Sequence, residues 1–288
     1  MSWRVVVISE RAKLDLQMNY LVIRGDDITK IYLSEISIVI VENTAISLTA
    51  ALLAELIARK IKVVFCDEKR NPSSELMPYY GSHDSSSKIR NQVAWDRSIC
   101  DIVWTKIVEQ KIEKQSSLLK RLKLKEHELL DGYISELEVR DITNREGHAA
   151  KVYFNALFGQ SFTRTSEIAT NYALNYGYSI ILSAFNREVV ANGYITQIGL
   201  FHDNIFNPFN LSCDLMEPFR PIVDECVFHM NLEAFEYSHK RSLIQLLVQT
   251  IIINDKKYDL NTGIKIYCKS VFDAIENSNV ALMKFYEI

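Results

Sequence analysis

The stretch T143-N-R-E-G-H-A-A-K-V-Y-F-N-A-L-F158 has the periodicity of an amphipathic helix. At helical spacing, four apolar side chains share a face with Glu146, lying three, four, seven and eleven residues after it: Ala149, Ala150, Tyr153 and Leu157. A carboxylate that points towards an apolar core is costly unless a cation or a hydrogen-bond donor pairs with it. A bound metal ion would meet that need if other parts of the chain supply further ligands.

The same segment also supports a purely structural interpretation. Thr143 and Glu146 form the T-x-x-E pattern of a capping box, in which the glutamate accepts a hydrogen bond from a free backbone N–H. Because a motif this short is weak evidence alone, helix capping is the favoured role for Glu146 on these residues.

Composition indicates a packed globular protein, since 48% of the 288 residues are hydrophobic and 24% are charged. The five cysteines show no C-x-x-C spacing, which argues against a zinc ribbon or a disulfide scaffold and favours reduced thiols in a cytoplasmic protein. We expect no signal peptide and no membrane span, because no apolar run has the required length.

Secondary-structure signals divide the chain into a strand-rich part and a helical part. Short apolar runs between turn residues predict one helix at 47–60 and strands at 3–8, 13–16, 20–24, 28–33, 36–41 and 61–66. A charged, proline-, glycine- and serine-rich segment at 67–88 predicts a loop. Beyond it, a helix running through Ile99 and Ile112 is predicted, and others at 116–135, 145–158, 168–191, 214–230, 239–253 and 265–276.

These signals predict an α+β fold. We expect a small N-terminal β-sheet domain with one helix at 1–80, a linker at 81–90, and a larger all-α domain at 91–288. Small sheets with unpaired edges often pair with another copy, so the N-terminal domain is the predicted dimerisation domain. The helical domain is the predicted catalytic domain, because the N-terminal strands hold no catalytic constellation.

Charge is unevenly distributed along the chain. The net charge is −3, yet the segment from Lys88 to Lys125 contains ten Lys/Arg and four Asp/Glu, a local excess of six positive charges. Such a segment is either a DNA-facing patch or the solvated side of long helices, and charge alone does not decide between them. The candidate DNA-binding residues are Lys69, Arg70, Lys88, Arg90, Arg97 and Arg145.

Two further motifs follow the helix that carries Glu146. The first, G199-L-F-H-D-N204, contains His202, and the second runs from Asn210 to Pro221 as N-L-S-C-D-L-M-E-P-F-R-P, with Asp214 and Glu217. Each is ambiguous alone, because a single histidine is more often structural than a ligand. The apolar pattern also leaves Glu217 away from the buried side of its helix, so pattern alone does not assign it to a site.

Taken together, the motifs resemble those of the CRISPR-associated integrase, the catalytic subunit of the spacer-acquisition (adaptation) complex. The likeness spans nearly the whole chain, and the H-D-S-S and E-P-F-R-P motifs resemble those of the type II-A subtype. The motifs that carry it are S2-W-R-V-V, L33-S-E-I, F65-C-D-E-K-R, M77-P-Y-Y-G, H83-D-S-S, N144-R-E-G-H-A-A, Y153-F-N, L157-F-G, N175-Y-G-Y, G199-L-F-H and D214-L-M-E-P-F-R-P.

The resemblance implies a catalytic metal site formed by Glu146, His202 and Glu217. In much of the family an aspartate stands where this chain has Glu217, and Asp214 matches a nearby acidic position as an orienting residue or an alternative ligand. Two carboxylates and one imidazole suit Mg²⁺ or Mn²⁺. The implied reaction is attack of a prespacer 3′-OH on a phosphodiester of the CRISPR repeat, which provides adaptive immunity against foreign DNA.

The resemblance also implies partners. They are double-stranded DNA (prespacer and repeat), a second copy of the chain, a small adaptation subunit, and other adaptation proteins of a type II-A system. Two alternatives remain at this point. One is a metal-dependent nuclease of branched DNA without integration, and the other is a non-catalytic DNA-binding scaffold in which Glu146 only caps a helix.

Overall fold

A computed structural model describes residues 4–79 and 81–287. It contains two compact units. The first includes the described part of Met1–Ser85 together with Val190–Gly193, and the second includes Ser86–Val189 and the described part of Tyr194–Ile288. Within the described ranges, no helix combines the length and the apolar character that crossing a membrane requires.

The first unit is built from two four-stranded sheets and one helix, as far as its residues are described. One sheet has the order β1-β5-β7-β8, and the other has the order β4-β3-β2-β6. The helix α1 spans Ala50–Ala58. The strands are β1 (Arg4–Ile8), β2 (Lys13–Gln17), β3 (Tyr20–Arg24), β4 (Ile28–Tyr32), β5 (Ile36–Val41), β6 (Ser47–Leu48), β7 (Lys62–Cys66) and β8 (Pro72–Glu75).

Burial explains the order of these strands. Every residue of β5 is buried, and β5 pairs in parallel with β1 and β7, so the most apolar strand lies inside its sheet. The helix α1 begins after Thr49, whose hydroxyl accepts a hydrogen bond from the Leu52 N–H at 3.3 Å. Leu52 and Leu56 of α1 belong to the same apolar core as residues of both sheets.

Three details of the first unit differ from the prediction. The strands form two sheets instead of one; β6 lies inside the predicted helix 47–60; and β8 lies inside the predicted loop 67–88. P72-S-S-E75 has little intrinsic strand preference, but β7 beside it supplies an antiparallel partner, and such pairing outweighs propensity. Trp3, at the start of the first predicted strand, lies outside the described residues.

After residue 84 the structure is mostly helical. Its elements are α2 (Ser85–Val93), α3 (Arg97–Arg121), α4 (His127–Ser135), α5 (Arg145–Phe158), α6 (Ala169–Ala191), α7 (Asn210–Met216), α8 (Arg220–Phe228), α9 (Tyr237–Gln245), β9 (Thr250–Ile253), β10 (Lys256–Asp259) and α10 (Leu260–Glu276). The long helix α3 lies at the centre of the second unit and packs against α4, α5, α8 and α10. The predicted α+β class is confirmed.

The prediction of an all-α domain is wrong in one place. Residues 250–253 belong to β9, not to a helix over 239–253, and β9 pairs with β10 in an antiparallel hairpin. Asn254 and Asp255 take positive φ values of 50° and 60° and form its turn. The β-branched run T250-I-I-I253 before an Asn-Asp turn is the signal that the helical interpretation missed.

Two predicted helices are interrupted. The helix predicted at 116–135 is divided into α3 and α4, because Lys123 has a φ of 60° that no helix can contain. The helix predicted at 214–230 becomes α7, a 3₁₀ turn at Glu217–Phe219 and α8. The turn includes Pro218, which lacks a backbone N–H.

Candidate functional site

The first turn of α5 leaves the Glu146 side chain free for another role. Asn144 precedes the helix with a left-handed φ of 54°. The carboxylate of Asp141 accepts hydrogen bonds from Arg145 N at 2.6 Å and Glu146 N at 2.9 Å. Asp141 therefore caps α5, and the capping-box interpretation of Glu146 is wrong.

Glu146 and Glu217 converge on one cation. Lys111, in the middle of α3, places its Nζ atom 2.6 Å from Glu146 Oε1 and 2.5 Å from Glu217 Oε2. Lys111 and Glu217 are both buried, with 8% and 4% of their surfaces exposed. Two carboxylates from separate elements are thus held around a single positive charge inside the second unit.

Arg220 adds a second positive charge to this group. Its Nε donates to Glu217 Oε1 at 2.8 Å. Burial alone would raise the pKa of Glu217, but Arg220 and Lys111 outweigh it and lower that pKa to about 2. Burial would likewise lower the pKa of Lys111, yet the charges of Glu217 and Glu146 raise it above its usual value. Lys111, Glu217 and Arg220 are therefore charged at neutral pH.

His202 is held by Asp214, which is completely buried on α7. Asp214 Oδ2 accepts hydrogen bonds from Leu200 N at 2.6 Å and Phe201 N at 3.0 Å, while Oδ1 pairs with His202 Nδ1. The pKa of His202 is raised, and the hydrogen bond between Asp214 and its ring is the largest cause. Burial opposes the rise, and the negative charges of Asp214, Glu217 and Glu146 add to it. Asp214 thus occupies Nδ1 and leaves Nε2 as the nitrogen through which His202 can bind a ligand.

Gly199 makes the close approach to Asp214 possible. A Cβ atom at Gly199 would lie 2.4 Å from the carbonyl oxygen of His202 and 2.6 Å from Asp214 Oδ2. Both distances are shorter than van der Waals contact, so any side chain here would push the loop away from the carboxylate. The glycine of G199-L-F-H is therefore required by the geometry that orients His202.

Aromatic rings support the same loop. Trp104 of α3 stacks on Phe201, with 4.6 Å between ring centroids and 2° between planes. The ring of His202 meets Trp104 edge-on at 5.5 Å. Because Trp104 is fully buried, it fixes the Phe201–His202 segment against the helix that also carries Lys111.

A buried hydrogen-bonded group ties α5 to α8. Tyr153 of α5 donates to Asp224 Oδ2 at 2.9 Å, and Tyr178 of α6 donates to Asp224 Oδ1. Burial raises the pKa of Asp224 to about 6, although both tyrosine hydrogen bonds oppose this rise. The guanidinium of Arg220 lies 4.6 Å from the ring centroid of Tyr178. These contacts hold α5, which carries Glu146, against α6 and against α8, which begins just after Glu217.

The structure brings the predicted ligands together in two pairs. Glu146 and Glu217 meet at Lys111, and His202 meets Asp214. Over residues 4–79 and 81–287, no three His, Cys, Asp or Glu side chains are close enough to form a ready-made metal site. The Lys111 ammonium lies between the two glutamates, at the position that a shared cation would occupy.

The candidate DNA-binding residues do not form one group. Lys69 and Arg70 belong to the first unit and the other four to the second. Arg70 lies 3.7 Å from Glu42, Lys88 pairs with Glu276, and Arg145 pairs with Glu136 at 3.1 Å. Arg90 and Arg97 are exposed and form no ion pair with any described residue. These two arginines are the most available to a phosphate.

Sequence reasoning missed three residues of the site: Lys111, Arg220 and Asp141. Lys111 could have been found, because it follows Ile107 by four residues and Val108 by three, on the predicted apolar face of α3. This is the same signal that identified Glu146. Arg220 and Asp141 gave no comparable signal, since each depends on a local backbone turn that the pattern does not show.

Comparisons with known proteins agree with one another. The family profile "CRISPR associated protein Cas1" matches residues 5–239. The chain is 32% identical to the CRISPR-associated endonuclease Cas1 of Neisseria meningitidis serogroup C (strain 8013) over 304 residues, covering 100% of this chain and 97% of the relative.

Two solved structures share the fold. One, a casposase bound to integration product, has a TM-score of 0.76 at 18% identity, covering 97% of this chain and 92% of that one. The other, from a Cas6-RT-Cas1–Cas2 complex, has a TM-score of 0.72 at 17% identity, covering 97% of this chain and 36% of that longer chain.

Proposed function

The chain belongs to the Cas1 family of CRISPR-associated proteins, and from this premise we propose that Glu146, His202 and Glu217 hold a divalent metal ion at which DNA strands are joined. It is a CRISPR-associated endonuclease and integrase of spacer acquisition. The observation that carries the metal assignment is the approach of both glutamates to one cationic nitrogen, at 2.6 and 2.5 Å.

The donor set fits Mg²⁺ or Mn²⁺. Two carboxylates and an imidazole suit these ions, which keep open positions for water and phosphate oxygens. When bound, such an ion stabilises charge on the phosphate under attack and lowers the pKa of a coordinated hydroxyl. Glu146 and Glu217 would supply the oxygens and His202 the nitrogen, while Asp214 orients the imidazole and Arg220 keeps Glu217 ionised.

The proposed reaction is a transesterification. The 3′-hydroxyl oxygen of a prespacer strand forms a new bond to a phosphorus atom of the repeat, and the bond from that phosphorus to the 3′ oxygen of its own strand breaks. One phosphodiester replaces another, and the proton of the attacking hydroxyl is balanced by the one taken up by the departing oxygen. No nucleotide hydrolysis is needed, which agrees with the absence of a G-x-x-x-x-G-K-[ST] sequence.

An integration assay tests this proposal. Purified protein, its small partner subunit, Mn²⁺ and end-labelled DNA are incubated with a supercoiled plasmid that carries the repeat. We expect label to become covalently attached to the plasmid. Cut plasmid without attached label would favour the nuclease of branched DNA, and metal-independent binding without either product would favour the scaffold.

We also propose the remaining features that the resemblance implies. They are a type II-A system, a cytoplasmic location, and a complex with double-stranded DNA, a small adaptation subunit and other adaptation proteins. Residues 1–80 would dimerise and residues 91–288 would carry the chemistry. The likeness to a chain from a Cas1–Cas2 complex supports the partner subunit.

Dimerisation through the first unit is the first measurable consequence. The edge strand β4 exposes 62% of Ile28 and 39% of Tyr32, an apolar edge that a second copy would cover. Light scattering should give the mass of a dimer, and Ile28→Lys should shift it towards that of a monomer. A monomeric wild-type protein at micromolar concentration would contradict this assignment, and Leu129→Lys, on exposed α4, is the control.

Metal binding should depend on pH through His202. An imidazole that binds a metal must be neutral. Because the pKa of His202 is raised, the imidazole takes up a proton at a higher pH than an ordinary histidine, whose pKa is about 6.5. Lowering the pH should therefore begin to weaken Mn²⁺ binding above about pH 6.5. The stability contribution of the His202–Asp214 pair has the opposite sign: it is complete below the unfolded-state pKa and is lost as pH rises through the raised one. Calorimetric Mn²⁺ titrations should show about a tenfold decrease in affinity per pH unit below the raised pKa of His202 in the folded protein.

The same titration on His202→Gln gives the control. Its Mn²⁺ affinity should be lower and nearly independent of pH, whereas His127→Gln should behave like the wild type. A wild-type affinity that stays flat from about pH 5 to about pH 8 would contradict ligation by His202.

DNA binding should depend on Arg90 and Arg97. Because both are exposed and lack an ion pair among the described residues, the Arg90→Ala/Arg97→Ala variant should reduce the salt slope of DNA affinity by about 0.9 for each phosphate that these arginines neutralise in the wild type. Arg24→Ala is the control, since Arg24 already pairs with Asp15 at 2.7 Å. Fluorescence anisotropy at several salt concentrations measures the slope. An unchanged slope would indicate that Arg90 and Arg97 lie on a solvated helix face and do not contact DNA.

A further inference from the structure

A tight turn next to His202 carries two large apolar side chains in solvent. Asn207 N donates to Asn204 O at 3.0 Å, so Ile205 and Phe206 occupy the two central positions of a four-residue turn. Each of them has 87% of its surface exposed. Glycine, proline, asparagine, aspartate and serine are usual at turns, and two bulky apolar residues are therefore unexpected at this tip.

The turn is held by hydrogen bonds from both sides. Asn204 Oδ1 accepts from Phe206 N at 2.9 Å, and Asn210, which is 3% exposed, donates from Nδ2 to Asn204 O at 3.0 Å. On the other side, Asn207 Oδ1 accepts from Phe209 N at 3.0 Å. Phe206 thus projects from an ordered loop, and its backbone needs little further ordering when it binds a partner.

The tip lies close to the proposed metal site along the chain. Phe206 follows His202 by four residues, and a chain segment of that length spans at most about 14 Å. Successive base pairs in duplex DNA are about 3.4 Å apart, so a duplex with one phosphate at His202 would present its next few base steps within this reach.

We propose that Phe206, with Ile205 beside it, enters the base stack of the target duplex next to the phosphodiester under attack. This inference rests on the proposed function. An inserted aromatic ring partly unstacks a base step and kinks the duplex, and stacking on the ring compensates for the disrupted base stacking. The kink would turn the attacked phosphodiester away from the helical path and give the incoming 3′-hydroxyl access to it.

The size of the patch favours a wedge over a protein-binding surface. A stable protein interface buries about 800 Å² on each partner, far more than two side chains at a loop tip supply. A wedge needs only one or two apolar side chains, held rigidly and projecting beyond their surroundings. The Ile205–Phe206 turn has these properties.

A binding experiment tests insertion without the chemical step. Target duplex carrying 2-aminopurine beside the attacked phosphodiester is mixed with the protein and its partner subunit in chelator. Wild-type protein should raise the fluorescence of the unstacked base. Phe206→Ala should abolish the rise while still binding DNA, Phe206→Trp should preserve it, and the exposed-residue control Leu129→Ala should match the wild type. A full rise with Phe206→Ala would overturn the proposal.

A joining experiment with Mn²⁺ gives the second readout. On fully paired target, Phe206→Ala should join strands about tenfold more slowly than wild type, equivalent to about 1.4 kcal/mol. A target with mismatched bases at the junction should restore its rate, because the step is already open. A defect that the mismatch does not rescue would overturn the wedge. Failure of the wild type to join strands on either target would instead contradict the proposed function, and the fluorescence result would still decide on insertion.

Discussion

Glu146→Gln should reduce strand joining by about a thousandfold or more while leaving the protein folded. A metal ion stabilises the charge of such a transition state by several kcal/mol, and each 1.36 kcal/mol corresponds to about a tenfold change in rate. Glutamine retains an oxygen that can accept the hydrogen bond from Lys111, but it lacks the charge that binds the metal. The measurement is the rate of label transfer to the repeat plasmid, together with the thermal unfolding midpoint.

The control for this variant is Glu136→Gln. Glu136 pairs with Arg145 at 3.1 Å near the start of α5, but it does not contact Lys111 or Glu217 within the described structure. Its strand-joining rate should remain close to wild type. If folded Glu146→Gln also joined strands at the wild-type rate, Glu146 would be only a partner of Lys111 and the metal assignment would be wrong.

Lys111→Met should give the second large effect, on stability instead of rate. Removing one partner of a buried ion pair costs about 3–5 kcal/mol, because the remaining charges are left uncompensated. Here the substitution would leave Glu146 and Glu217 facing each other. In chelator, the unfolding midpoint should fall by roughly 10 °C, given a shift of about 2–4 °C per kcal/mol for a protein near this size.

Added Mn²⁺ should reverse much of that destabilisation. In the wild type, Mn²⁺ must compete with the Lys111 ammonium for the two carboxylates. The Lys111→Met variant has no such competitor, so Mn²⁺ binding should stabilise the variant more than the wild type. Lys106→Met is the matched control on the same helix, since Lys106 pairs with Glu109 at the surface and such pairs contribute about 0–1 kcal/mol. Equal Mn²⁺ shifts in the variant and the wild type would show that Lys111 and the metal do not share the glutamates.

The sequence predicted the fold class because its signals are local and strong. The apolar runs of β1 to β5 and the helical stripe of α5 each follow from a few neighbouring residues. Elements that depend on distant partners were missed. The strand β8 needs β7 beside it, and the hairpin of β9 and β10 was hidden by a run that also fits a helix. The family prediction is confirmed by a profile and a relative that cover most or all of the chain.

The site was less accessible to sequence reasoning. Glu146 could be identified because it interrupts an apolar stripe, yet the stripe could not show that Asp141 caps the helix and leaves the glutamate free. Glu217 was out of phase with the predicted buried side of its helix, but it is buried because residues 214–219 are all buried, so this segment has no solvent-facing side. Its partners Lys111 and Arg220 lie on elements that only tertiary structure brings together.

Anomalous diffraction from a crystal grown with Mn²⁺ tests the metal site most directly. We predict one anomalous peak, with oxygens of Glu146 and Glu217 and the Nε2 atom of His202 around it, at distances near the value of about 2.1 Å usual for a small hard cation. The Lys111 ammonium should have moved away from at least one glutamate. A peak elsewhere, or no peak with both glutamates still bound to Lys111, would contradict the account.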